Sequence, residues 1–508
     1  MRTGPPVFAL ALATLVAAAV AAPLVQLVVR VGSGDVGAVA AVVFRSRTMD
    51  LLIATVGIAF ATAAGALALG VATAWALVRV RLPARALWRV VACAPMALPS
   101  YVAAFGWISA VPGLSGVGPL VVLLVLVTAP YVTVPTMVAF ARMDASITDA
   151  ARTLGSSPAR AFVVGTLPQV IPAALAGTLL AALYALSDFG APALLRVDTL
   201  TTGIYAQFTG GFDRALSAAL GLVLALLGAV CVAAESGARR RAGARAGAST
   251  APPAPLVLSR AATVGVLAAL TLIGAAAVLV PLGALVARAP MAGRYAATAQ
   301  ELGDAAMSTL ALGVGAAVLT VLAALPVAWL GARHRTRLVR VLETVSSMGH
   351  ALPGLVAALA LVALTLAVAP GAYQGAGALV AAYAVLFLPK AIVSSRAAFA
   401  GVPPSLEDAA RTLGDGPFVA WCRVTLSSAG PGILAGGVLV MAAVMKELPA
   451  TLLLRPIGVD TLATELWSAT SAGAYGAAAW PALLLVAVGL VPALAMARGI
   501  RSLGEADR

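Results

Sequence analysis

One pattern limits what this chain can fold into more than any other. Apolar runs of about 20 residues, the length a helix needs to cross about 30 Å of hydrocarbon, recur from end to end and are separated by short arginine-bearing loops. Hydrophobic residues make up 62% of the 508 residues and charged residues only 10%, against about 25% charged in a soluble domain. The chain must therefore solvate much of its surface with lipid. Ala, Leu and Val dominate and β-type alternation is lacking, so the spans read as helices rather than barrel strands. The expectation is an all-α membrane protein with about twelve transmembrane helices. Among them are spans over 88–110, 168–192, 344–369, 430–453 and 477–498.

The net charge of +14 collects in loops. Arg79, Arg81, Arg85 and Arg89 follow the second span, and Arg333, Arg335, Arg337 and Arg340 follow the eighth. Arg239, Arg240, Arg241 and Arg245 lie between the two groups. Positive charge marks cytoplasmic loops, which places both termini inside and leaves no basic domain for nucleic acid. Arg45 and Arg47 run against the trend in an outer loop. The cysteines (Cys93, Cys231, Cys422) and histidines (His334, His350) are too few and scattered for a disulfide framework or a metal site. No metal ligand set and no catalytic constellation is expected.

The sequence is also written twice. DAARTLG occurs at Asp149–Gly155 and again at Asp408–Gly414, 259 residues later. "ALPSYVAA" (97–104) answers "ALPGLVAA" (351–358), Ala74-Trp75 answers Ala328-Trp329, and "VDTL" recurs at 197–200 and 459–462. The expected organisation is a six-helix repeat at 1–235, a basic, Pro/Gly/Ala-rich linker at 236–258, and a second six-helix repeat at 259–508. An even number of spans per repeat makes the copies parallel. The amino terminus resembles a secretory leader. Its end matches the internal span at 260–287, "APLVQLVVR" against "VPLGALVAR", so it reads as a retained first span.

Most of the duplication has diverged, yet seven residues in a polar loop have not. Packing in lipid does not explain identity outside the bilayer, whereas a shared docking partner does. Extended, the loops run "DAARTLGSSPARAFVVGTLP" and "DAARTLGDGPFVAWCRVTLS". They resemble the Glu-Ala-Ala loop of ABC-importer permeases: an acid, two alanines, three variable residues, glycine, nine variable residues, an aliphatic, one more, then Leu-Pro. The first copy supplies Asp149, Ala150, Ala151, Gly155, Leu167 and Pro168, with Gly165 at the aliphatic position. The second supplies Asp408, Ala409, Ala410, Gly414, Val424 and Leu426, with Ser427 in place of proline. Asp stands in both where Glu is commoner.

The resemblance implies a type I ABC importer permease in the bacterial inner membrane. Its coupling residues would be Asp149, Ala150, Ala151, Arg152 and Gly155 in one loop, and Asp408, Ala409, Ala410, Arg411 and Gly414 in the other. Two copies of a cytoplasmic ATPase would dock there and use ATP and Mg. A periplasmic or lipid-anchored binding protein would deliver substrate. The chain has no GxxxxGK[ST] phosphate loop, so no cofactor is expected on it.

The fused six-plus-six arrangement resembles ferric-iron importer permeases, with thiamine, polyamine and phosphonate importers as alternatives. Asp188 aligns with Glu447 and Arg196 with Arg455. Counted along their spans, the acids fall near the outer mouth. Two readings stand for them: oxygen donors lining a path for a hard cation, or structural acids braced by Arg196, Lys446 or Arg455. Lys390 reads as snorkelling toward the cytoplasmic end. A twelve-span secondary transporter also has parallel six-plus-six repeats. It would carry a Gly-x-x-x-Asp-Arg-x-Gly loop after span two, where this chain has "VRVRLPARALWRVV".

Overall fold

The structure, a computed structural model, describes residues 5–32, 37, 41, 43–210, 214–245, 255–295 and 297–490. Nine described helices are long and apolar enough to span a bilayer. They are α1 (Val7–Gly32), α2 (Ser46–Arg79), α5 (Val117–Arg142), α7 (Pro158–Ser187), α10 (Arg214–Arg245), α11 (Arg260–Gly293), α12 (Ala299–Arg333), α15 (Ala376–Ala400) and α17 (Pro417–Val444). A bent pair, α3 (Arg85–Cys93) and α4 (Ser100–Ala110), adds a tenth. Two further apolar helices among the described residues, α14 (Gly354–Val368) and α20 (Ala479–Leu490), are shorter and fall within two more of the twelve expected spans. Residues 491–498 of the last expected span, the linker's 246–254 and the chain's outermost residues lie outside the described residues.

The spans expected over 88–110 and 344–369 are each broken. Arg85–Ala97 and Ser100–Ala110 meet at 97°. In the second repeat α13 (Arg337–Ser346) is likewise separated from α14 by a 3-10 turn at Met348–Ala351. Both breaks fall at a Leu-Pro pair. Leu98 and Leu352 are extended, with φ/ψ of −88°/126° and −92°/122°, because proline disfavours helical geometry in the residue before it. Pro99 and Pro353 then serve as the N-caps of α4 and α14. The segment before each break carries arginines beside exposed Leu87, Val90, Leu338 and Val341. An amphipathic face of this kind suits an interface rather than the hydrocarbon.

The expected linker start also shifts. Helix α10 continues through Arg245, ten residues past Glu235, because Ala and Arg are strong helix formers. Glu235 is buried and accepts from Arg239 Nε at 2.8 Å. The linker's far end is pinned: Arg81 N donates to Leu256 O at 3.0 Å.

Packing divides the chain into two units that cut across the linear repeats: residues 40–290, and residues 1–39 with 291–508. In the first unit, α2, α5 and α7 pack together, α10 packs on α7, and α11 packs on α4. In the second, α12, α15 and α17 pack together and α1 lies against α12, α13 and α14. The opening helix of each sequence repeat thus belongs to the unit built by the other repeat. In the first unit a cluster of Ala74, Phe140, Met143 and Val170 backs onto Trp75. In the second, Ala328, Phe399, Val402 and Ala429 back onto Trp329. These are the same four positions in each repeat, and they sit beneath the polar loops.

The candidate functional site, twin exposed loops and two paired acids

Each polar loop is a short helix closed by a glycine turn. In the first repeat it is α6 (Ala145–Thr153), capped by Asp144, whose carboxylate accepts from Ser146 N at 2.9 Å. That hydrogen bond holds the Asp144 carboxyl below the usual range. In the second repeat it is α16 (Pro404–Thr412), opened by Pro403 and Pro404.

The shared word explains the shared geometry. Gly155 N donates to Arg152 O at 3.0 Å and Ser156 N to Ala151 O at 3.0 Å. Gly414 N donates to Arg411 O at 3.1 Å and Asp415 N to Ala410 O at 3.1 Å. This is the paired Schellman closure, which places the residue after the cap in left-handed geometry. Gly155 and Gly414 have φ of +85° and +98°, values that L side chains rarely adopt. Thr153 and Thr412 donate back to Ala150 O and Ala409 O at 2.8 and 2.7 Å.

Each loop is tied to the helix that follows it at equivalent positions with different chemistry. Thr148 Oγ1 meets Thr166 Oγ1 at 3.0 Å, and Thr425 Oγ1 donates to Glu407 Oε2 at 2.8 Å. Gly165 stands at the pattern's aliphatic position because a Cβ there would come within 2.8 Å of Thr148 Cα. The departure from the family pattern is a packing fit.

Of the expected coupling residues, Asp149, Ala150, Arg152 and Gly155 are exposed, as are Asp408, Ala409, Arg411 and Gly414. Ala151 and Ala410 turn inward. Four apolar side chains join this surface that sequence reasoning did not single out. Leu154 and Leu413, inside the repeated word, are 87% and 88% exposed, and Ile147 and Leu406 are about half exposed. Two leucines this bare, at equal positions in two copies and outside the spans, mark a contact surface. The signal was present: leucine is the one large apolar residue in an otherwise polar or small heptad.

The acids are the second feature. Asp188 follows α7 and accepts from Ser100 Oγ at 2.7 Å. Ser100 begins α4, about 15 Å from its Ala110 end at 1.5 Å per residue. Glu447 follows α17, and a Cβ placed on Gly354, the first residue of α14, would lie 2.5 Å from its Oε1. Gly354 is about 21 Å from Val368 at the other end of α14. Each acid thus stands against the start of the second helix of a broken span, at equivalent positions of the two repeats.

Ser100 and Gly354 are equivalent positions, so the two sites exchange a methylene. One pairs hydroxymethyl with aspartate, the other glycine with glutamate. Arg455 forms its ion pair with Asp460 and donates to Thr464 Oγ1 at 3.3 Å. Arg196 is exposed at φ +57°. The VDTL repeats prove to be ties: Leu200 N donates to Thr55 Oγ1 at 2.8 Å and Leu462 N to Thr309 Oγ1 at 3.0 Å.

We expect Gly354→Ser and Glu447→Asp each to lower the melting temperature of the detergent-solubilised protein. One crowds the carboxylate and the other leaves it short. Together they should recover most of the loss, with a coupling of about 1 kcal/mol or more. Additive losses would show that the two residues do not act as a pair.

A helical membrane protein built twice over, with one exposed docking loop per copy, has the construction of a transporter's membrane subunit. Residues 66–235 and 324–502 each match the family described as binding-protein-dependent transport system inner membrane component, and the chain belongs to that family. Its members are permeases that work with an ATPase and a substrate-binding protein. The chain is 29% identical to the Fe(3+)-transport system permease protein FbpB 2 of Haemophilus influenzae, over 97% of this chain and 98% of that protein. It is 34% identical to the molybdenum transport system permease protein ModB of Mycobacterium tuberculosis over 34% of this chain and 71% of that protein. Against ModB of Escherichia coli the identity is 41% over 16% of this chain and 35% of that protein.

Proposed function

We propose that this chain is the complete membrane portion of a ferric-iron importer, with one cytoplasmic ATPase copy docked on each DAARTLG loop and both termini on the cytoplasmic side. The observation that carries the iron reading is the similarity to an Fe(3+)-transport permease along nearly the whole of both chains. The molybdenum permeases match shorter stretches. In this reading Asp149, Ala150, Ala151, Arg152 and Gly155, with Asp408, Ala409, Ala410, Arg411 and Gly414, couple ATP and Mg use on the ATPase to movement of the spans. A periplasmic or lipid-anchored binding protein supplies the iron. Asp188 and Glu447 supply hard oxygen donors along the path.

The test is uptake by proteoliposomes holding the permease, its ATPase and its binding protein. Radioactive ferric iron should accumulate with ATP and not without it, while thiamine should not. Uptake of thiamine, a polyamine or a phosphonate in place of iron would overturn the substrate. Transport unaffected by removing the ATPase would overturn the importer class.

A further inference from the structure

The basic loop after α12 surrounds a cleft. His334, Arg335 and Thr336 of that loop, Arg340 and Glu343 on α13, and Arg396 on α15 line a space of about 340 Å³, within the range of about 300–1,000 Å³ usual for ligand sites. His334 directly follows the last residue of α12, and Arg396 stands about 6 Å before the end of α15 at 1.5 Å per residue. The cleft therefore lies where two spans end and the amphipathic α13 begins. Arg333 Nη1 donates to Val402 O at 2.9 Å, just ahead of α16, so the cleft is on the same side as the docking loop.

Its charge is out of balance. Glu343 and Arg396 are joined as an ion pair. Arg335 and Arg340 are exposed, and neither is in an ion pair among the described residues. Burial, and then Arg333, hold the His334 imidazole below its usual range, so it adds no charge at neutral pH. Three arginines against one glutamate leave a positive excess. The cleft also faces the start of α13, where the Thr336 hydroxyl accepts from Val339 N at 3.3 Å. A helix N-terminus adds further partial positive charge.

The first repeat builds the same turn differently. Arg335 answers Arg81 at a spacing of 254 residues, but that turn is filled by the linker. Leu256 N donates to Arg79 O at 2.6 Å and Arg81 N donates to Leu256 O at 3.0 Å. Arg85 Nη2 donates to Val80 O at 2.7 Å. Thr336, Arg340 and Glu343 are answered by Leu82, Ala86 and Arg89. The positive-inside bias accounts for arginines in both loops. It does not gather them around a cleft in one and tie the turn shut in the other.

We propose that this cleft holds the phosphate groups of an anionic phospholipid, with Arg335 and Arg340 as the recognising side chains. The ligand chemistry is a phosphate-type oxyanion, which the planar fork of arginine pairs through two parallel hydrogen bonds. The position at the ends of two spans favours a headgroup over a dissolved anion, since basic pockets between membrane helices on the cytoplasmic side bind phospholipid headgroups. A lipid seated there ties α12, α13 and α15 together beside the stretch that leads into α16. The inference rests on the permease reading only for which face of the membrane is cytoplasmic.

The experiment titrates the purified, delipidated full chain in neutral detergent with cardiolipin, phosphatidylglycerol, phosphatidylcholine or inorganic phosphate, and follows the melting temperature. We expect cardiolipin and phosphatidylglycerol to raise it saturably and phosphatidylcholine to leave it unchanged. Arg335→Gln/Arg340→Gln should weaken the apparent affinity for cardiolipin by about tenfold or more. Arg335→Lys/Arg340→Lys keeps the charge and loses the fork, and should weaken it roughly two- to fivefold. Arg337→Gln, exposed on α13 but outside the cleft, should change it less than about twofold. The lysine pair carries the test if the glutamine pair does not fold. Wild-type affinity in every pair that folds overturns the site. So does weakening by Arg337→Gln as large as by the glutamine pair, which would reduce the effect to general attraction to a basic surface. An arginine-dependent rise with inorganic phosphate as large as with cardiolipin overturns the lipid source. The assay uses neither ATPase nor substrate, so its failure leaves the permease reading standing.

Discussion

Leu154→Asp combined with Leu413→Asp should abolish both ATPase co-purification and ATP-driven uptake while leaving the membrane fold intact. Both side chains are almost fully exposed, and substitutions at such positions change stability by only about 0.5 kcal/mol. Their bonding role in the loop is confined to the backbone: Leu154 N and Leu413 N donate to Ala150 O and Ala409 O at 3.0 and 3.2 Å. A carboxylate retains that bond. What changes is the surface offered to the partner. An apolar side chain filling a pocket contributes about 2 kcal/mol or more when it anchors an interface, so each single variant should weaken ATPase binding roughly tenfold or more. Because the two loops are alike, the singles should be equal within error, and the double should lose both docking points. Pull-down of the ATPase from solubilised membranes measures this directly. Wild-type recovery in the double variant would remove the loops from the coupling path.

Gly414→Val addresses the same loop by another route. No atom lies within 4 Å of a Cβ built there, so the cost is backbone strain alone, about 1–2 kcal/mol for an L residue in left-handed geometry. That cost is paid where the leucine is aimed.

The second large effect concerns the exchanged helices. Gly106→Val should detach α11 from α4. A Cβ at Gly106 would fall 2.5 Å from Pro281 Cβ and 2.7 Å from its carbonyl oxygen, and main chain cannot rotate away as a side chain can. Overpacking costs about 1–3 kcal/mol. It also threatens the neighbouring bond from Trp107 Nε1 to Ala276 O at 3.1 Å. Gly283→Val is the control, since it lies on α11 with nothing within 4 Å. We expect a clear fall in melting temperature and yield for Gly106→Val and little change for Gly283→Val. Equal behaviour would contradict the close approach of α4 and α11.

Much of this was legible in the sequence because lipid imposes a coarse code. The all-helical membrane fold and the two repeats followed from apolar length and from identity at a fixed spacing. The DAARTLG loops stood out because seven residues stayed the same where their surroundings changed. Three kinds of feature were not legible. The breaks before Ser100 and Gly354 hide inside apolar runs, since hydropathy does not register that Leu98 and Leu352 are turned extended by the prolines after them. The contacts of Asp188 with Ser100 and of Glu447 with Gly354 join residues 88 and 93 apart, which no local pattern reveals. The exposure of Leu154 and Leu413 belongs to the folded surface, and a leucine in a sequence does not say which way it faces.

The exchange of opening helices also sets a timetable. Helix α1 is finished at Gly32, but α14, against which it packs, begins at Gly354. At about 5–20 residues per second of synthesis, the first helix waits on the order of tens of seconds in the bilayer before its partner exists. Something must occupy that face meanwhile, whether lipid, the insertion machinery or a neighbouring nascent span. A ribosome that stalled between the repeats would leave α1 without α14 and leave α4 without α11. A truncated chain of this kind would be an obvious target for membrane quality control, and each half would need the other to be born before it could mature.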